Sequence, residues 1–368
     1  MSTAPLEIRA GKRALERIRD RGLNPDDVRS VFGASGAAKW LAIAGLDAAI
    51  FGRWLSQSSQ PVDCFGTSIG AIKLAAAVQA EPERRIQRLA EAYIRQSYVG
   101  RPTPVAIAAE CDRVLDAALG DAGVTGILAH ERYRYHCGAV TSNSGLATNS
   151  QYRQSLSMLR MAGRALGGRK FLQSDLERVV FYQQGNNKGD LTCVGADGFR
   201  THRVPLDSSN LRAAILASGS IPVYMDLVEA ELKTDHGSIR LPLRDGGLLD
   251  YHPIPQNIQA VEGGRERGLV LYPHFYPRLR ETWFDKFFVW RKVAANMLDD
   301  VVLVYPSQQF VADLPQKRIP DRGDFQRFAN DDEQRQRLWR EAVDRSAVLG
   351  DYWMQLVERN DWSMVKAF

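Results

Sequence analysis

Residues 62–78, VDCFGTSIGAIKLAAAV, run from a short β-like stretch (Val62-Asp63-Cys64-Phe65) through a glycine-bounded turn (Gly66-Thr67-Ser68-Ile69-Gly70) into an Ala-rich apolar segment. Strand, sharp turn and buried helix are the grammar of this piece, because a helix that is apolar on most sides has to be covered on both faces. The same grammar occurs about 30 residues earlier. Val28 to Phe32 is apolar, ends at Gly33, and leads into the apolar stretch Trp40 to Leu55. Two such units in the first 80 residues predict a parallel sheet with crossover helices, since parallel neighbours need a long return path.

The rest of the chain is read around that start. Residues 83–175 look mainly helical, with a strand candidate in Arg132 to Val140. A helix is expected at Ser208 to Ala217, followed by a hairpin through Leu227 to Leu243 that turns near Asp235-His236-Gly237. Leu269-Val270-Leu271-Tyr272 and Val301-Val302-Leu303-Val304-Tyr305 read as two short strands separated by an aromatic helix. A last helix starts at Asn330-Asp331-Asp332-Glu333, where a capping Asn and acids suit the free N–H groups and the dipole of a helix N-terminus. Absence of a Pro/Gly/Ser-rich linker or a repeat favours one α/β core with helical extensions. The expected layout is an N-terminal helical segment (1–27), a catalytic core (28–255) and a C-terminal extension (256–368).

Composition narrows the class. The 368 residues are 45% hydrophobic and 25% charged, an ordinary globular mix that excludes a disordered chain or a small disulfide scaffold. Cys64, Cys111, Cys137 and Cys193 contain no CxxC pair, so neither a zinc framework nor a secreted disulfide pattern is read. A reducing, cytoplasmic home is expected, and no cofactor or metal site. The first 22 residues lack the apolar core of a secretory signal. Trp40 to Leu55, interrupted by Asp47 and Arg53, is too short to cross about 30 Å of hydrocarbon. A net charge of +5 is diffuse, and with no nucleic-acid-binding signature nucleic acid is not expected as a partner.

Three places can carry chemistry. In the GxSxG turn, Ser68 is forced outward between strand and helix while Gly66 and Gly70 remove side chains that would collide; an ordinary turn is the competing reading. In Gly33-Ala34-Ser35-Gly36-Ala37-Ala38-Lys39, small residues at a helix N-terminus let backbone N–H groups approach an oxyanion. A phosphate-binding P-loop nearly fits the same stretch, but Ala38 stands where the second glycine belongs and Trp40 where the Ser/Thr belongs. A nucleophilic serine also needs a base. None of His130, His136, His202, His236, His252 and His274 lies in a triad context, so attention moves to a carboxylate in Arg244-Asp245-Gly246-Gly247. That tripeptide, too, reads as a plain turn in isolation.

Taken in order, the loop Gly33 to Lys39, the elbow Gly66 to Ala71, the helix and small-residue turn Arg212 to Pro222, and Asp245-Gly246-Gly247 resemble a patatin-like phospholipase over residues 28–255. The loop here has Ala34 and Ser35 where that family is richer in glycine, and Trp40 follows Lys39. The resemblance implies a three-layer α/β/α core with a mostly parallel sheet, a Ser68/Asp245 dyad, the Gly33 to Lys39 loop as oxyanion hole, and lipid acyl esters as substrates. Asp245 would then need apolar surroundings to act as a base, because a free Asp titrates near about 3.9. A noncatalytic binding protein on the same fold, and an acyltransferase using the same dyad, are the alternatives. Trp283, Phe287 and Trp290 would share a helical face in a segment rich in cations, which suggests peripheral membrane contact; a helix covering the sheet is the simpler reading.

Overall fold

Val28–Gly33 and Val62–Thr67 are buried at five of six positions each and pair in parallel. Strands without a solvent face have to be covered on both sides, which is why the apolar segments after each of them return as helices. The structure is a computed structural model and describes residues 4–98, 100, 102–184, 194–234, 237–256 and 268–368. Among them are β1 (Leu6–Ala10), β2 (Val28–Gly33), β3 (Val62–Thr67), β4 (Tyr133–Thr141), β5 (Glu177–Tyr182), β6 (Thr201–Pro205), β7 (Val228–Thr234), β8 (Gly237–Asp245), β9 (Leu269–Pro273), β10 (Val301–Pro306) and β11 (Lys366–Ala367). They form one sheet in the order β11-β1-β10-β9-β2-β3-β4-β5-β6, with β8 added to β4 and β7 to β8. The central run β10-β9-β2-β3-β4 is parallel throughout. The fold is therefore mixed α/β, a mostly parallel sheet flanked by helices in three layers, with strands drawn from the first ten residues through the last three.

Several segments depart from the sequence reading for local reasons. Leu6–Ala10, read as helix, alternates buried and half-buried positions and pairs antiparallel with β10; only Lys12–Arg21 is helical in that stretch. The long helix expected over Trp40 to Leu55 is broken into 3₁₀ (Ala37–Ile43), α (Ala44–Ala49), π (Ile50–Trp54) and 3₁₀ (Leu55–Gln57) turns. Its course is dictated by packing against the last helix, Asp332–Arg359. A Cβ on Gly350 would lie 2.5 Å from the Gly45 carbonyl oxygen, so the two backbones cross almost in contact. The wider π turn then brings Trp54 edge-on to Trp353, ring centroids 5.0 Å apart. The hairpin is present as β7 and β8, while Asp235 and His236 at its turn lie outside the described residues.

One feature of the sheet positions the site. β3 pairs with the first part of β4, up to Thr67 opposite Gly138, and β8 pairs antiparallel with its last part, from Asp245 opposite Ala139. Because β5 occupies the other edge of β4 at these residues, β3 and β8 share one edge, meeting end to end at Gly138 and Ala139. Whatever follows Thr67 therefore emerges beside Asp245.

The close crossing yields a direct test. Gly350→Val should destabilise the fold by about 1–3 kcal/mol through overpacking between helices, read as a lower urea midpoint; an unchanged midpoint would contradict the crossing.

Candidate active site

Ser68 is the hinge between β3 and the helix Ile69–Ala77, with φ 53° and ψ −129°. A non-glycine residue held there costs on the order of 1–3 kcal/mol and persists only where its surroundings over-determine it. Here the Ser68 N–H donates to the Ser218 carbonyl (3.1 Å) and hydroxyl (2.9 Å), and the Ser218 hydroxyl donates to the Gly138 carbonyl (2.6 Å). A Cβ on Gly70 would sit 2.2 Å from the Gly33 carbonyl oxygen, so the loop leaving β2 rests directly on the first turn of this helix. Gly66 faces the Gly70 backbone in the same way.

Asp245 ends β8 with its N–H donating to the Ser220 carbonyl (2.9 Å). One carboxylate oxygen accepts from the Gly247 N–H (2.7 Å), and the other accepts from the Ser68 hydroxyl at 2.8 Å. Both side chains belong to buried residues, 9% exposed for Ser68 and 7% for Asp245. Burial pushes the Asp245 carboxyl up to about 6, against the pull of the Gly247 and Ser68 hydrogen bonds and of the Lys286 and Arg322 charges. Gly246 lies against the Gly138 carbonyl. Next to it, the buried Arg244 guanidinium donates to the carbonyls of Leu146 (3.0 Å), Thr148 (2.8 Å) and Met225 (2.7 Å), tying two loops to the end of β8.

The loop Gly33 to Lys39 borders the same spot. Ser35 is held in place by its hydroxyl, 2.9 Å from that of Thr67, and by its N–H, which donates to the Tyr251 carbonyl (2.8 Å). That N–H is committed to structure. The N–H groups of Gly36 and Ala37, by contrast, have no acceptor among the described residues. Ala37 stands at φ 51°, a second strained position beside Ser68. The Lys39 ammonium is 3.4 Å from the Gly36 carbonyl oxygen, and its pKa is lowered by burial. Trp40 is buried in the core, edge-on to Tyr93.

Four cations surround this arrangement, three of which sequence reasoning missed. The Lys286 ammonium lies 4.1 Å from the Tyr251 ring centroid and 5.0 Å from that of Trp283. Burial, then Lys39 and Arg322, lower its pKa to about 7. Arg280 also acts on both lysines, and Arg322 stacks on Tyr224. None of Lys39, Arg280, Lys286 and Arg322 is in an ion pair among the described residues. Lys286, Arg280 and Arg322 carry no motif, and their only sequence signal is the cation-rich composition of the stretch after residue 277.

No described histidine hydrogen-bonds Ser68 or Asp245. His252 is buried, accepts the Arg280 N–H at Nδ1 (3.0 Å) and stacks on Tyr251, while burial drives its pKa well below the usual value. His274, held down to about 3 by burial, hydrogen-bonds Tyr276. His130 caps a turn, and His136 and His202 pair with Asp63 and Glu177. His236 lies outside the described residues. Among the described residues, no three His, Cys, Asp or Glu converge as for a metal.

The aromatic segment is not the helix its sequence suggests. Only Trp283–Lys286 forms a 3₁₀ turn, in which the Asp285 carboxylate accepts from the N–H (2.8 Å) and hydroxyl (3.0 Å) of Thr282. Phe284 and Phe288 insert into a core cluster with Leu248 and Leu249, and the demands of that packing override a regular helix. Trp283 is half-buried, whereas Phe287 and Trp290 are exposed.

No protein-family model matches the chain, and no curated protein matches its sequence. Among solved structures, VipD from Legionella pneumophila is similar over 95% of this chain and 70% of its own, at a TM-score of 0.31 and 12% identity.

The raised Asp245 pKa has a consequence for stability. A carboxyl whose folded-state pKa (about 6) exceeds its ordinary value (3.8) favours folding fully only below the latter, and that contribution is lost as pH rises through about 6. Asp245→Asn should therefore be more stable than wild type at pH 8, by about 3 kcal/mol, with the difference shrinking toward pH 4. Chemical denaturation at the two pH values reads this out; a pH-independent difference would contradict the raised pKa.

Proposed function

We propose that the chain hydrolyses carboxylic acyl esters through a covalent acyl-enzyme on Ser68, with Asp245 as the general base. The observation that carries this reading is the 2.8 Å hydrogen bond from the Ser68 hydroxyl to a carboxylate whose pKa stands near 6. A base is most effective when its pKa approaches the working pH, and an ordinary aspartate is too weak for a serine hydroxyl. Burial supplies the difference here.

Asp245 takes the Ser68 proton as Oγ attacks the acyl carbon, and the carbonyl electrons move onto oxygen. That oxyanion is met by the N–H groups of Gly36 and Ala37, which have no acceptor among the described residues and cost little to reorganise because the loop is anchored through Ser35 to Thr67 and Tyr251. Collapse breaks the ester C–O bond, and the departing alcohol takes the proton back from Asp245. A water, deprotonated by the same carboxylate, then releases the acid and restores Ser68. One carboxyl serves both halves: the oxygen facing Ser68 takes and returns the proton, while the other is held by the Gly247 N–H. The positive charges of Lys286 and Arg322 favour the ionised base. Lipid esters as the substrate class rest on the order of the four motifs that resemble patatin-like phospholipases.

Ser68→Ala and Asp245→Asn are each expected to lower kcat/KM on p-nitrophenyl esters by about 10³-fold or more, and a fluorophosphonate probe should label wild type on Ser68 alone. A Ser68→Ala protein that still hydrolyses would overturn the assignment, as would a folded but inactive His252→Ala. The pH profile of kcat/KM should fall below about 6, where Asp245 gains a proton. Lys286→Met should move that acid limb upward, because it removes a charge that holds the Asp245 pKa down.

A further inference from the structure

The helix Gln151–Leu166 carries its apolar residues on two faces. Met161 and Ala165 are buried, as amphipathic packing requires, yet Tyr152, Leu156, Leu159 and Leu166 point the other way. Together with Gly163 these positions fall within about 80° of arc at 3.6 residues per turn. All are exposed, the four side chains by 57% (Leu156) to 78% (Tyr152). Single exposed apolar side chains need no explanation, but an aligned stripe on the outer face of a helix does.

The stripe continues into a second segment. The Arg291 guanidinium donates to the carbonyl oxygens of Ala165 (2.8 Å) and Leu166 (3.3 Å), which brings residues 287–291 against the C-terminal end of this helix. There Phe287, Val289 and Trp290 are exposed, Trp290 at 68%, and Phe171 projects from the turn that follows the helix.

Charge decides what such a face can meet. From Gln151 to Ser174 the sequence has five basic residues and no acidic one, and from Lys286 to Lys292 it has three and none. Arg160 and Arg164 share the single buried carboxylate of Asp175, and Arg291 pairs with Asp285. Arg153, Lys170 and Lys292 are in no ion pair among the described residues. Exposed Leu, Phe, Trp and Tyr rimmed by unneutralised cations complement the acyl boundary and anionic headgroups of a bilayer surface, where apolar area and charge act together. A protein partner with a matching acidic and apolar groove is the other possible occupant, but nothing in this chain supplies one.

We propose that the outer face of Gln151–Leu166, with Phe171 and residues 287–290, docks the protein on an anionic lipid surface. The same helix borders the candidate site. Gln151 and Gln154 hold the backbone of Val223, itself at φ 71°, in the turn whose Ser220 carbonyl accepts from Asp245. Phe287 directly follows Lys286, one of the four cations around Ser68 and Asp245. Docking on this face would set the site at the membrane surface.

Cosedimentation with phosphatidylglycerol/phosphatidylcholine vesicles tests it, using wild type, Leu156→Ser/Leu159→Ser and Phe287→Ser/Trp290→Ser. Wild type should bind the anionic vesicles, lose most binding on neutral phosphatidylcholine or in high salt, and lose about tenfold in affinity with each double substitution. Hydrolysis of a soluble short-chain ester and the thermal midpoint should be unchanged in both variants. Ser68→Ala should bind vesicles as wild type does, so that failure of the ester chemistry and failure of docking are told apart. Absence of wild-type binding, or binding that both variants retain, would overturn the proposal. So would a wild-type dimer in sedimentation velocity that these substitutions dissociate, since the face would then belong to a second copy.

Discussion

Ser68 and Asp245, 177 positions apart, share a hydrogen bond because two strands of opposite direction stop on consecutive residues of a third. β3 leaves the edge of β4 at Gly138 and β8 arrives on it at Ala139. In that small gap the backbone of neither strand can pair with the other, and the chain fills it with polar contacts. The Ser218 hydroxyl reaches the Gly138 carbonyl, the Ser68 N–H reaches Ser218, and the Asp245 N–H reaches Ser220. A buried backbone group left without a partner is costly, so these bonds fix the turn Ser218 to Ser220 between the two strand ends.

The electrostatics of the site follow from that burial. A carboxylate enclosed at the end of a strand loses hydration and is driven toward its neutral form, and the Gly247 N–H and nearby cations return only part of the loss. The outcome is an aspartate that is poised to accept a proton near neutral pH, at the expense of stability in the same range. Lys286 obeys the converse logic: burial and the neighbouring cations drive its ammonium toward neutrality, to about 7. Burial thus draws the pKa values of two groups of opposite charge toward each other.

Strain is concentrated where the same region needs unusual directions. Ser68, Ala37 and Val223 are all non-glycine residues at positive φ, and Ser68 and Val223 are each pinned by neighbours from distant parts of the sequence. The central strands are apolar, with one register shift between Val28 and Ser30 against β9, and a close-packed parallel core of this kind can hold such positions without relaxing them. The exposed stripe of Gln151–Leu166 is different in kind. It breaks no backbone rule, but it leaves apolar area in water beside Arg153, Lys170 and Lys292, which are in no ion pair among the described residues.

The two strand–turn–helix units, the strands β9 and β10 and, to within a residue, the start of the last helix were legible in the sequence, because each is specified by neighbours within a few residues: periodicity, glycine and capping chemistry, although the cap is Asp331, whose carboxylate accepts the Gln334 N–H, and not Asn330. Ser68 was legible on the same ground, as a serine on a tight turn. β1 could have been read from the alternation in LEIRA, and the reading of the basic N-terminus as a helix obscured it. The break in the helix after Gly36 could not, since its cause is the Gly45–Gly350 crossing 305 positions further on. Nor could the composition of the aromatic segment reveal that Phe284 and Phe288 would be claimed by a core cluster. Local pattern determines which elements form; the meeting of strand ends on β4, the Asp245 pKa and the placing of Lys286 depend on which surfaces are buried against each other, and burial is a property of the folded whole.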